Sequence, residues 1–463
     1  MIATSLPSAG TLAALLAGGA VVVAALVVLM RREPRALPLL VVLALPFRVP
    51  ISTDARTVNL LVPLYLVVAA GTLAHLLPRL AARRAAPPVS DPWQRRLQWL
   101  LLATVVLYAL QAAYSADHTK ALENVAFFYL PFALLFLLLR DVAWDRALLL
   151  RCLAVAVAEA VLFAAVGFVE YDRKSLLLNP KVVAANQYDN YFRVNSVFFD
   201  PSIYGRFLAL VMLAVTTAML WARGRRQVWA CAAVLAWLLA GLVTSFSQSS
   251  IAALLLGLAV LAAFRWRLRD TIYVAAGLLS LGLALLLLAP AGLHFGLKGS
   301  SGSASNATSG RASLISSGIE LLAERPLQGY GSGSFETEYK RHAQTSKANS
   351  ENAASASHTI PITVAAEQGL IGLALYAGLL LAAGFVLLRG AGRSPPRIAL
   401  AACFAALVLH TWTYADFLED PFTWALLAVG LALARAPVRE QDVDAPRAPA
   451  ADAAGQPEPA ASV

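Results

Sequence analysis

The sequence predicts an all-α polytopic membrane protein of about 12–13 transmembrane helices, with one large extracytoplasmic loop that carries an amphipathic helix. Three observations predict it. The 463 residues are 59% hydrophobic and 14% charged, with a mean hydropathy of +0.67, whereas a soluble domain has roughly 45–50% apolar and about 25% charged residues. The apolar residues fall into runs the length of a bilayer crossing. The arginines sit in alternate gaps between those runs. An ordinary cytosolic enzyme is excluded.

A bilayer core about 30 Å thick takes roughly 20 helical residues. Runs of that kind lie near 11–30, 36–48, 58–78, 97–114, 121–139, 147–169, 203–221, 228–244, 250–264, 272–290, 359–388, 398–414 and 421–435. The first begins without a charged n-region or a clear A-x-A site, so it reads as a helix and not a cleaved signal peptide. The 36–48 run ends in Pro46 and Pro50 and is too short to cross comfortably, which suits a half-helix or a tilted, broken span.

Orientation follows from the gaps. Arg31, Arg32 and Arg35, then Arg79 to Arg96, Arg140 and Arg146, Arg223 to Arg226, Arg265 to Arg269, and Arg389 to Arg397 all fall on one side when gaps alternate. The positive-inside rule makes that side cytoplasmic, with the N-terminus outside and the C-terminus inside. The same rule accounts for the net charge of +10, so no nucleic-acid partner is expected. Cys152, Cys231 and Cys403 lie far apart inside apolar runs and suggest neither disulfides nor a thiolate metal site. Residues 1–435 thus read as a polytopic membrane domain, and the Ala/Pro/Asp/Glu-rich 436–463 stretch as a disordered cytoplasmic tail.

Two non-cytoplasmic segments, about 170–201 and 291–357, have the polarity and length for a pocket outside the membrane. In the second, GRASLISSGIELLAE places Leu314, Ile315, Ile319 and Leu322 on one stripe, as in a helix lying at the interface. PLQGYGSGSF follows, where Gly329, Tyr330 and Gly331 open a glycine-dense turn that can present N–H groups to an anion or contact substrate.

His358 stands at the end of that loop, just before the apolar run that opens TIPITVAAEQG. The helix dipole there disfavours the imidazolium and leaves a neutral base for a hydroxyl nucleophile. The alternative is a histidine that merely caps a helix at headgroup level. His75, His118, His294, His342 and His410 show no metal-ligand spacing. Arg193 and Arg311 lie in the outward loops, where an arginine clamps a phosphate bidentately or snorkels to lipid. Arg206 lies within an apolar run, where a charge is paired or functional, with Asp200 or a ligand phosphate as its partner. Asp200, Asp416, Glu419 and Asp420 suit structural or sugar-contacting roles. Glu123, Glu159 and Glu367 suit hydrogen bonds between helices.

Three ordered segments, RVNSVFFDPSIYGRF (193–207), SGRASLISSGIELLAERPLQGYGSGSF (309–335) and SHTIPITVAAEQGLIGLALY (357–376), together resemble the bacterial O-antigen ligase / O-antigen polymerase (Wzy-C type) superfamily of membrane glycosyltransferases. The likeness spans about 190–390. It implies a GT-C-like fold in the bacterial inner membrane. It also implies transfer of a glycan from undecaprenyl diphosphate to a hydroxyl on a glycan, lipid-core or cell-wall acceptor, by inverting displacement without metal or cofactor. It implies Arg193 and Arg311 as diphosphate ligands, with Arg206 as a further candidate, and His358 as the base. The chain departs from the family at Gln248, where an arginine is frequent, and at Thr359, where an asparagine is usual. Gln248 is then a weaker substrate contact. A polymerase of the same superfamily and a lipid or sugar transporter are the competing readings.

Overall fold

The computed structural model describes residues 9–52, 57–82, 91–177, 192–266, 303–345 and 359–435, with Tyr273, Gly277 and Ser280. The protein is a multi-pass helical membrane protein, and among the described residues eight helices are long and apolar enough to cross a bilayer. The helices are α1 (Ala9–Arg32), α2 (Ala36–Ala44), α3 (Val62–Ala81), α4 (Pro92–Gln111), α5 (His118–Arg140), α6 (Arg146–Arg173), α7 (Pro201–Leu220), α8 (Arg225–Thr244), α9 (Gln248–Arg265), α10 (Ser303–Glu324), α11 (Phe335–Thr345), α12 (Ile360–Leu388), α13 (Pro395–Thr413) and α14 (Pro421–Arg435). The run expected at 272–290 lies outside the described residues apart from three positions, as does the 436–463 tail.

One feature departs from an all-helical chain. After α2, strands β1 (Val49–Ser52) and β2 (Thr57–Leu60) pair antiparallel, Val49 opposite Leu60. Nine residues of α2 rise about 13 Å, under half a bilayer core. Pro46 and Pro50 withhold the amides that would continue the helix, so the chain turns back as a hairpin.

Prolines also shape two long helices. Wide π turns at Thr72–Leu76 and Val125–Tyr129 directly precede Pro78 and Pro131, because a proline cannot bond the carbonyl four residues earlier and its ring crowds that turn. Three Asp–Pro steps start helices cleanly. Asp91 accepts from the amides of Trp93 and Gln94, Asp200 from Ser202, and Asp420 from Phe422, with the proline filling a first-turn site that needs no donor.

The apolar faces bury into two large clusters, beside a small third one that includes Leu321, Phe335 and Ala366. Of the large two, one gathers residues of α1 to α5, α12 and α14 around Leu97, Phe132 and Trp424, and the other gathers α6 to α9 and α13 around Phe163, Tyr204 and Leu407. Ion pairs Arg35–Asp145, Arg79–Asp141, Arg389–Asp91 and Arg435–Asp141 tie together the connections that the alternation rule assigns to one side. They define an arginine-rich end of the bundle. The polar connections 111–118, 192–200, 244–248, 324–335 and 413–421 lie at the other end.

Candidate functional site

At the arginine-poor end the chain enters α7 through residues 192–200. Arg193 donates from Nε to the Ser245 carbonyl at 3.2 Å, and the Val194 amide donates to the Thr244 carbonyl at 3.3 Å, so this segment lies along the end of α8. Glu170, in the last turn of α6, is fully buried. Its carboxylate accepts from the amides of Leu177 (3.0 Å), Asn195 (3.3 Å) and Ser196 (2.8 Å). Ser196 sits at a φ of 52° while its hydroxyl donates to the Phe163 carbonyl. Phe246 and Asp416 are also at positive φ, at the same end. Non-glycine residues in that conformation are strained, and such strain concentrates where a site must be shaped.

The glycine-dense turn is stitched into a break in α12. Gly369, at φ 64° and ψ −164°, interrupts the helix, and the freed amides of Leu370 and Ile371 donate to the carbonyls of Pro326 (2.7 Å) and Leu327 (3.4 Å). In return, the amides of Tyr330 and Gly331 donate to the carbonyls of Ala366 (3.2 Å) and Glu367 (2.8 Å). Gly329, Gly331 and Gly333 all take positive φ. A Cβ at Gly331 would lie 2.9 Å from the Ser115 nitrogen, so glycine is required by contact as well as by torsion. The amides of Gly333 and Phe335 do meet an anion, but it is the protein's own: the Glu367 carboxylate accepts both, at 2.9 and 3.1 Å. Ser115 and Ser332 cross-link this turn to the end of α4, and Gln111 and Tyr114 both donate to the Gln328 carbonyl. The Tyr330 hydroxyl donates to Glu324 and holds that carboxyl below its ordinary range.

A third group closes the end. Arg206 is 2% exposed and pairs with Asp420, itself 1% exposed. Its protein partner is therefore Asp420 and not the expected Asp200, whose carboxylate caps α7 and takes a hydrogen bond from Tyr414. His410 is fully buried, with Nε2 3.3 Å from the Ser249 hydroxyl. Glu419 accepts from Asn124 at 2.8 Å, and the same Asn124 amide reaches the Tyr108 hydroxyl. Burial, reinforced by the charge of Asp416, pushes the Glu419 carboxyl up to about 7, against the pull of Lys120 and Arg48.

The structure thus brings Arg193, Arg206, Asp200, Gln248, Gly329, Tyr330 and Gly331 to one end of the bundle. Gln248 is exposed at the start of α9, behind the Ser247 cap. The backbone amides of Gly329, Tyr330 and Gly331 are engaged by Arg325, Ala366 and Glu367. His358 and the side chain of Arg311 lie outside the described residues. Sequence reasoning missed Glu170, whose only signal is an acid closing an apolar run. It placed Glu367 in a helix-to-helix role, whereas its partners are turn amides. Glu159 is buried in α6. An apolar groove of about 250 Å³ between α1, α2 and α3, lined by Val22, Leu26 and Leu66 among others, lies among the N-terminal helices and has no polar lining for this chemistry. Among the described residues, no three of His, Cys, Asp and Glu cluster as metal ligands.

No curated protein matches the chain. Residues 233–377 match the O-antigen ligase family. The match takes in the latter part of α8, α9, the glycine turn and the first part of α12, and with them two of the three segments that carry the resemblance; the 193–207 segment precedes it. Over residues 233–377 the chain is similar to the O-antigen ligase family, whose members are in general glycosyl-transfer enzymes.

Proposed function

We propose that this protein is an O-antigen ligase-like glycosyltransferase of the bacterial inner membrane. It works at the arginine-poor end, which the positive-inside rule puts outside. The donor is a glycan on undecaprenyl diphosphate, and the acceptor is a hydroxyl of a glycan, lipid core or cell-wall polymer. The acceptor oxygen attacks the anomeric carbon from the face opposite the diphosphate, and the bond to the diphosphate oxygen breaks with its electron pair. His358 takes the hydroxyl proton. Arg193 and Arg311 stabilise the charge that develops on the leaving group, the role a metal plays elsewhere. Arg206 backs the site from its ion pair with Asp420. The domain match over 233–377, which contains both Arg311 and His358, is the observation that carries this reading.

The test is turnover of lipid-linked glycan in proteoliposomes, comparing wild type with His358→Ala and Arg311→Ala at matched expression, with product length read on a gel. Loss in both variants, with EDTA without effect, is the expected result. A single transferred block marks a ligase, and a ladder marks the Wzy-type polymerase of the same superfamily. The break at Gly369 and the half-length α2 are features that transporters also use. Unchanged turnover in both variants refutes the transferase and favours that class.

A further inference from the structure

We infer that Glu170 is a positioning residue for the lipid-linked diphosphate donor, acting through Arg193; this rests on the proposed role of Arg193. A carboxylate at the end of a membrane helix is costly to bury and is retained where it has work for its lone pairs. Glu170 is fully buried, and all three of its described partners are backbone amides. Two of those amides, of Asn195 and Ser196, lie two and three residues beyond Arg193. The third, of Leu177, lies on the other side of the 178–191 stretch. The acid therefore ties Leu177, just past the end of α6, to the Asn195–Ser196 turn just beyond the arginine.

The Arg193 segment is held between two fixed points. On one side Glu170 and the Phe163 carbonyl hold Ser196 in its strained turn; on the other the Thr244 and Ser245 carbonyls take the Val194 amide and the Arg193 Nε. The Nε bond turns the guanidinium about its own axis, and the Glu170 bonds set where that axis starts. A clamp on a diphosphate depends on both, because a bidentate contact tolerates little misplacement. Without Glu170 two adjacent buried amides lose their acceptor, and the turn at Ser196 keeps only the Phe163 carbonyl to hold its positive φ.

The test is initial-rate kinetics against lipid-diphosphate donor in proteoliposomes for Glu170→Ala, Glu170→Gln, Arg193→Ala and the Glu170→Ala/Arg193→Ala pair. Glu170→Ala should raise the donor KM about tenfold, the scale of one weakened charge-assisted contact, and lower kcat less. Glu170→Gln keeps one oxygen for Asn195 and Ser196 and should show a smaller rise of the same sign. In the Arg193→Ala background, Glu170→Ala should add nothing further to the donor KM, because the group it positions is gone. Additive effects, or a normal donor KM in the Glu170 variants while Arg193→Ala raises it, overturn the inference alone. A normal donor KM in Arg193→Ala overturns both the role of Arg193 and the inference. If Glu170→Ala fails to fold, Glu170→Gln alone and paired with Arg193→Ala carries the same comparison.

Discussion

Gly369→Ala tests whether the clasp between the glycine turn and α12 holds this end of the protein together. Gly369 has φ 64° and ψ −164°, a region essentially reserved for glycine, and a side chain there costs about 1–3 kcal/mol. The added Cβ would lie 2.5 Å from the Leu327 carbonyl carbon and 2.8 Å from the Gln328 nitrogen, so two backbones must separate. Separation strains the bonds from Leu370 to Pro326 and from Ile371 to Leu327, each contributing about 0.5–1.5 kcal/mol net. The expected loss is about 2–6 kcal/mol. Gly384→Ala is the internal control: it lies in the same helix with nothing within 4 Å of its Cβ, and alanine there should stabilise by up to about 1 kcal/mol. Thermal unfolding in detergent, followed by tryptophan fluorescence, should lower the midpoint of Gly369→Ala by several degrees and leave that of Gly384→Ala equal or higher. Turnover should fall in Gly369→Ala, because its break orients the first turns of α12. A midpoint and turnover equal to wild type in Gly369→Ala would refute the clasp.

Arg206→Ala or Asp420→Ala alone leaves a buried charge without its partner and should cost about 3–5 kcal/mol, whereas Arg206→Met with Asp420→Leu should recover most of that midpoint. Glu367→Gln turns one acceptor into a donor facing the Gly333 and Phe335 amides and should cost about 1–3 kcal/mol in the same unfolding assay. For pH, the raised Glu419 carboxyl binds more protons folded than unfolded between its ordinary value of 4.5 and about 7. Stability should therefore fall as pH rises through that window and level off above it. Unfolding midpoints from pH 4.5 to 8 should show that fall in wild type and a flatter profile in Glu419→Gln, which keeps an oxygen for Asn124. An unchanged slope in the variant would remove Glu419 as the source.

Much of the fold was legible because hydrophobic length and charge placement are local properties. The start and end of α6, α7, α8 and α12 follow from where apolar runs meet Asp145, Asp200, Arg225 and Arg389. The arginine alternation also anticipated which connections would meet, and the ion pairs of Asp91, Asp141 and Asp145 join connections on that one side. The hairpin after α2 was not legible, since Pro46 and Pro50 say only that a helix stops. At the site, the glycine turn was readable as a place of unusual backbone, but its amides were read as waiting for a ligand. Their partner Glu367 is more than thirty residues away, and sequence spacing carries no information about which distant acid reaches them.

The sequence by itself determined the solvent, the order of most of the long apolar helices, which connections share a side, and the likeness of residues 233–377 to the O-antigen ligase family. Those follow from transfer free energies summed residue by residue and from motifs contiguous in the chain. Only the tertiary structure decided that Arg206 belongs to Asp420, that Glu170 holds the Arg193 segment, and that Gly369 opens α12 to receive the loop at 326–331. A buried charge or an unpaired amide must find a partner, but which one is set by how the helices pack, and packing is a property of the whole chain.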